Sequence, residues 1–256
     1  MEPAVDVASL TAPLAALGDR VAPLALAGER TLAVDETFGD LFAEGGLVRG
    51  RTLACQGSAA TSTALALVAP AIRSGAWLAL IDLPTVGLDA ASELGVPLER
   101  VVAIGTRPPG AADDPGRWLD VVAAAADGFD VLLVRAPIGL SAGGVRKLAV
   151  RLRQRDVVTI VLGDPGSMAC DGTLHTDAED WSGLGDGYGH LRRRQVVVRA
   201  SGRRLPGRRH CRFTIPATPA AAITTAATST TSTTSTTTTT STTSTTAVPA
   251  VAAISA

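Results

Sequence analysis

An α/β fold with a mostly parallel sheet flanked by helices is what this chain predicts, and three observations predict it. Short apolar runs rich in Val, Leu and Ile recur along residues 51–162, each followed by a helical pattern after a brief connection. Those runs are continuously apolar rather than alternating, as in strands buried on both faces of a parallel sheet. Beyond residue 163 the pattern gives way to Gly/Asp/Ser-rich sequence and then to an antiparallel strand pair, which belongs at the sheet's edge.

Residues 1–30 read as a helical lead-in, because Leu10, Leu14, Leu17 and Val21 recur at near-helical spacing, with Pro13 and Pro23 limiting the helices. Residues 31–190 form the core. Within it the strands are expected at 51–56, 76–82, 100–105, 129–134 and 156–162. The helices are expected at 63–73, 88–94 (stopped by Gly95), 117–126 and 141–155, the last amphipathic through Val145, Leu148 and Leu152. Residues 163–190 read as loop. Residues 191–216 form an Arg-rich edge hairpin with strands at 195–199 and 212–215 around a turn at Gly202 and Pro206-Gly207. From 217 to 256 the chain has no charged residue and consists almost wholly of Thr, Ser and Ala with a few Val, Ile and Pro, a low-complexity composition expected to stay disordered.

Composition narrows the function. The chain has 256 residues, 46% of them hydrophobic and only 3% aromatic, so its core is built from Ala, Val and Leu. Its net charge of −1 hides an asymmetry: no acidic residue follows Asp186, whereas nine arginines lie between Arg192 and Arg212. Those nine (Arg192, Arg193, Arg194, Arg199, Arg203, Arg204, Arg208, Arg209 and Arg212) are candidates for contact with DNA or with an acidic partner surface. One aromatic residue, Phe213, accompanies them, so base stacking on a single strand is not indicated. Three widely spaced cysteines form no disulfide framework or zinc motif. The three histidines have no ligand spacing, so no metal site is expected. A start lacking a basic n-region, and apolar runs too short for a bilayer, point to a cytoplasmic protein with no membrane partner.

The organising stretch is 51–67, an apolar strand, a small-residue turn opening at Gly57 and an apolar helix. A phosphate-binding loop reads G-x-x-x-x-G-K-[ST], its backbone N–H groups cradling phosphates, its lysine reaching the β/γ-phosphates and its hydroxyl holding Mg²⁺. Counted from Gly57, the second glycine is Ser62, the lysine is Thr63 and the Mg²⁺ hydroxyl is Ala64. The apolar strand at 129–134 ends in Arg135, where a Mg²⁺-holding aspartate is needed, and a cation there repels the metal. No catalytic residue and no cofactor is therefore expected.

Taken in order, Gly45-Gly46-Leu47-Val48-Arg49-Gly50-Arg51, the Gly57 turn, Leu80-Ile81-Asp82, Leu94-Gly95-Val96 and 130–134 resemble the core of bacterial RecA over residues 31–163. Carried over by position, the catalytic glutamate falls at Pro84 and the second acidic residue at Arg135, so both acidic positions are lost as well. Within that superfamily the Arg-rich, Lys-poor character is similar to the actinobacterial ImuA-prime type. This resemblance implies a non-catalytic accessory of damage-induced mutagenic translesion DNA synthesis in the SOS response. Its implied partners are an ImuB-type inactive Y-family polymerase homologue, an error-prone replicative-type polymerase and DNA. Two rival readings are a divergent RecA-like ATPase of DNA repair, drawing its cation from Lys147 or a neighbouring subunit, and a SulA-like inhibitor of cell division.

Overall fold

The computed structural model describes residues 30–108, 111–184, 189–202, 204–205, 209–215 and 254–255, with the backbone alone at 183–184, 189–192 and 254–255. The lead-in at 1–30, apart from Arg30, and the tail at 217–256, apart from two residues, lie outside the described residues. A two-stranded ribbon, β1 (Thr31–Leu32) and β2 (Leu47–Val48), encloses the short helix α1 (Glu36–Gly39) and precedes the main sheet.

The main sheet follows the chain as expected. Its elements are β3 (Thr52–Gly57), α2 (Ala60–Arg73), β4 (Leu78–Ile81), α3 (Leu88–Glu93), β5 (Val101–Gly105), α4 (Pro115–Ala125), β6 (Val131–Val134), α5 (Ala142–Gln154) and β7 (Val158–Leu162). There follow β8 (Gly172–Leu184), β9 (Gly189–Ser201), β10 (Arg209–Ile215) and β11 (Ile254–Ser255). In space the order is β10-β9-β8-β3-β7-β6-β4-β5-β11. Every neighbouring pair from β8 to β11 is parallel, and β9 and β10 add antiparallel strands at one edge. The fold is the mostly parallel α/β sheet with an antiparallel edge that the sequence predicts.

Helices cover both faces, and two apolar cores result. One gathers α1, α2 and α3 over Leu53, Cys55, Leu78, Leu80, Val131 and Ile160. The other gathers α4 and α5 over Ala79, Ile81, Leu132, Val134 and Val161. Alternate residues of each strand thus go to opposite cores, which is why the strands read as unbroken apolar runs. In α2, Leu65, Leu67, Val68 and Ile72 are all at least 98% buried, each stabilising the packed state by roughly 1.5–3 kcal/mol. Capping fixes the helices of the other face. Asp114 accepts the Gly116 and Arg117 N–H groups ahead of Pro115 at the start of α4, and Ser141 accepts the Gly144 N–H at the start of α5. Among the described residues no helix is long and apolar enough to cross a membrane.

One expectation needs correction. Residues 163–190 read as loop, yet 172–184 form the long strand β8, lying between β3 and β9. Its inward positions, Leu174 and Thr176, are fully buried while His175 and Asp177 are exposed, so it alternates. The signal is faint because one inward residue is a threonine, whose hydroxyl donates to the Gln56 carbonyl at 2.8 Å. The edge strands also begin earlier than 191, since β9 starts at Gly189.

Asp82 closes the other half of the sheet. It follows β4 with φ +53°, a left-handed conformation costly for a residue bearing a Cβ. Its carboxylate accepts the Thr106 N–H at 2.8 Å and the Thr106 hydroxyl at 2.5 Å, and its own N–H donates to the Ile104 carbonyl. The aspartate is thereby a clamp joining the ends of β4 and β5. Replacing it by Ala loses the clamp and keeps the backbone strain, whereas Gly loses the clamp alone. Asp82→Ala is therefore expected to be the less stable of the two variants by about 1 kcal/mol in urea unfolding. Equal midpoints would show that the φ strain is not borne by this residue.

Candidate functional site at the carboxyl rim of the sheet

In an open parallel sheet the loops after the strands share one rim, and ligands bind there. The ends of β3, β4 and β6 place Gly57, Asp82 and Arg135 on that rim. Pro84 follows β4 and is exposed, with no N–H to offer. Arg135 donates its backbone N–H to the Ile81 carbonyl at 3.2 Å, and its side chain is exposed without an ion pair among the described residues. Asp82 is committed to Thr106. Beyond β7, Asp164 is exposed and accepts the Gly166 N–H. Among the described residues no group of three His, Cys, Asp or Glu side chains is placed to hold a metal ion.

The Gly57 turn has the strand–turn–helix order of a phosphate-binding loop without its key residues. Only Ser58 and Ala59 separate β3 from α2. Residues 60–62, which in a working loop arch around phosphate, are already helical here. The Thr63 N–H donates to the Ala59 carbonyl at 2.9 Å, and Thr63 and Ala64 are fully buried. Gly57 itself has φ +106°, and a Cβ there would stand 2.0 Å from the Thr176 carbonyl oxygen of β8. The first glycine of the motif is thus required by the approach of a neighbouring strand.

β8 also fills the mouth of the turn. The Ser58 hydroxyl accepts the Ala178 N–H at 3.0 Å. The Arg194 guanidinium reaches over from β9, donating to the Ser62 hydroxyl at 3.2 Å and lying 5.0 Å from the Trp181 ring. A guanidinium beside a helix N-terminus adds a cation where the helix dipole is already positive. The interaction with the Trp181 ring face offsets part of that repulsion. Lys147, the one lysine of the chain, is exposed on α5, which packs on the opposite face of the sheet from α2.

The arginine run is less free than its sequence suggests. Arg199 pairs with Asp177, Arg212 with Glu179 at 3.6 Å and Arg204 with Asp171 at 3.4 Å. Arg209 donates to the Asp40 carbonyl at 2.6 Å. Of the described side chains in the run, Arg193 alone has neither ion pair nor hydrogen bond. Arg192 is described by its backbone only, and Arg203 and Arg208 lie outside the described residues. Linear reading missed the pairing because the acids of 171–179 precede the run in sequence. The β8–β9 register sets Asp177 near Arg199, and β10 laid beside β9 brings Arg212 toward Glu179. Trp181, half exposed at 54%, was missed for the same reason.

Burial raises the thiol of Cys55 to about 12 and those of Cys170 and Cys211 to about 11, so none carries a thiolate nucleophile at neutral pH. Because Gly57 is held by both φ and contact, Gly57→Ala is expected to lower stability by more than about 1 kcal/mol. A native-like urea midpoint for this variant would show that β3 and β8 are not packed as described.

The comparisons with known proteins can be set against this geometry. No curated protein matches the chain. The crystal structure of the RadB recombinase aligns with 68% of this chain and 91% of its own at 15% identity and a TM-score of 0.49. The model of the MT3502 N-terminal domain family matches residues 40–167. That match runs from just after α1 to the loop beyond β7, taking in all five parallel strands from β3 to β7. The chain belongs to the MT3502 N-terminal domain family.

Proposed function

We propose that this chain is a RecA-type fold retained for its shape, a non-catalytic accessory of damage-induced mutagenic translesion DNA synthesis. It acts by contact with an ImuB-type inactive Y-family polymerase homologue and an error-prone replicative-type polymerase. The observation that carries the non-catalytic part is the Gly57 turn. The residues that should wrap a triphosphate are wound into α2, and the amide at the lysine position is spent on Ala59. Phosphoryl transfer depends on positioned charge, from the loop lysine and from Mg²⁺ held by carboxylates. Thr63, Pro84 and Arg135 supply none of it. The translesion role is carried over from the resemblance of residues 31–163.

The ATPase reading requires a cation from elsewhere, and Lys147 is on the wrong face of the sheet to provide it. DNA contact through the arginines is supported less than their number implies, since three of the described side chains already face carboxylates. Exposed pairs of this kind are each worth about 0–1 kcal/mol, so they can be displaced by phosphates, but only in competition.

Purified chain is expected to bind no Mg-ATP and to turn none over. Restoring the lysine alone is expected to fail as well. Thr63→Lys puts an ammonium into a fully buried site on α2, which should destabilise the fold by several kcal/mol without creating nucleotide affinity. Nucleotide turnover by the wild type, or a stable Thr63→Lys variant that binds Mg-ATP, would sink the non-catalytic reading. Tagged chain recovered from DNA-damaged cells should bring both polymerase partners with it. Recovery without them, together with cell filamentation on overexpression, would move the assignment to a division inhibitor.

A further inference from the structure

β8 and β9 outlast the sheet that carries them. β3 accompanies β8 only as far as Thr176, and β10 accompanies β9 only as far as Arg194. Beyond those points, among the described residues, the two strands pair only with each other, from Trp181 opposite Arg194 to Leu184 opposite Gly189. A register shift between Ala178 and Trp181 marks the place where this ribbon leaves the sheet. Such bulges re-aim side chains at sheet margins. A two-stranded ribbon alone is marginal in water. This one is pinned at its base by the Trp181–Arg194 stack, the bond from Arg194 to Ser62 and the bond from Ala178 to Ser58.

The outer edge of β9 over 189–193 therefore presents backbone N–H and C=O groups with no strand beside them among the described residues. The residue that follows β10 in sequence is Pro216, which has no N–H to donate to a ladder and lies outside the described residues. On the β9 side of this edge the free charge is Arg193, while Asp180 of β8 is exposed on the other strand. Asp177 and Glu179 of β8 already face Arg199 and Arg212, whereas Arg193, opposite Ser182, is exposed and unpaired among the described residues. A strand laid beside β9 puts a side chain within about 5 Å of Arg193 at the Cβ level, close enough for an ion pair.

We propose that this edge accepts an extended acidic segment of a partner protein as an added strand, a carboxylate sitting beside Arg193 and the Trp181–Arg194 pair forming its rigid flank. The proposal rests on the adaptor reading and names the surface and partner chemistry that reading needs. Duplex DNA fits less well. A ribbon of this width enters the major groove, but β8 would bring Glu179 and the exposed Asp180 toward the phosphates.

The test uses the full chain and a fluorescein-labelled, end-capped peptide of alternating Val and Glu, followed by fluorescence anisotropy. Saturable binding is expected, weakened about tenfold or more by Arg193→Glu and largely kept by Arg193→Lys, with steep loss as salt rises. The same peptide N-methylated at alternate residues should not bind, because strand addition needs its N–H groups. Several results overturn the proposal: no binding of the Val-Glu peptide, equal binding of a Val-Lys peptide, undiminished binding after N-methylation, or indifference to Arg193→Glu. Duplex DNA binding tightly through Arg193 and displacing the peptide also overturns it, in favour of nucleic acid. Arg193 is exposed, so loss of fold does not confound the variants, and the Lys variant checks that point. ATP turnover measured on the same preparation decides the adaptor reading separately from the edge.

Discussion

The approach of β8 to the backbone of β3 at Gly57 is the contact on which the rest of this molecule depends. It is possible only because residue 57 has no Cβ. The Thr176 hydroxyl answers the Gln56 carbonyl, and the Ser58 hydroxyl answers the Ala178 N–H, so each strand satisfies the other where β3 ends. With β8 seated there the turn has two residues before α2 begins, and no length is left for a loop that arches around an anion. The same contact carries β8 past the rim and so creates the ribbon with β9. The short turn and the projecting ribbon thus share one contact.

Carboxylates serve this fold as strand-end clamps. Asp82 joins β4 to β5 at the rim through Thr106. At the opposite end Asp130 accepts the Trp77 N–H and pairs with Arg49, tying the lead into β4 to β6 and to the segment after β2. Asp171 accepts the Thr52 N–H and faces Arg204, tying the start of β3 to β8. Each accepts a backbone N–H at a point where a parallel ladder stops, and a charged acceptor there is worth more than a neutral one. Acids committed in this way are not available to polarise water or hold Mg²⁺. Asp82 shows this most directly, because both of its carboxylate oxygens accept from Thr106.

The parallel half of the fold was legible because burial on both faces leaves continuous Val/Leu/Ile runs, and Gly95 and Ser141 mark helix ends by known chemistry. β8 was not legible. Its inward face offers Leu174, Thr176 and little else that is apolar, and a threonine satisfied by a main-chain carbonyl looks like loop in sequence. That single miss propagated. Without β8 there was no register to bring Asp171, Asp177 and Glu179 to the arginines, and a partly neutralised surface read as a bare basic tract. Ser62, Thr63 and Arg135 were read from spacing and Pro84 from the resemblance, and the structure places the first two on α2, Pro84 after β4 and Arg135 after β6. What spacing could not reveal was that the turn had shortened, because helix starts depend on what packs against them.

The three altered positions bear on one another. A loop that had lost only its lysine could regain function from a neighbour's cation, and a site that had lost only its acids could still bind phosphate on backbone amides. Here the amide at Thr63 is consumed, the mouth is held by Arg194 and Trp181, and a cation stands at Arg135. Neither a lysine at position 63 nor carboxylates at 84 and 135 would by itself build a site that holds a triphosphate with Mg²⁺. Exposed at the rim are Ile138 at 93% after β6, Trp181 at 54% on the ribbon and Arg193, unpaired among the described residues, together with the carboxylates of Asp164 and Asp180. Protein interfaces are anchored by aromatic and arginine side chains of this kind.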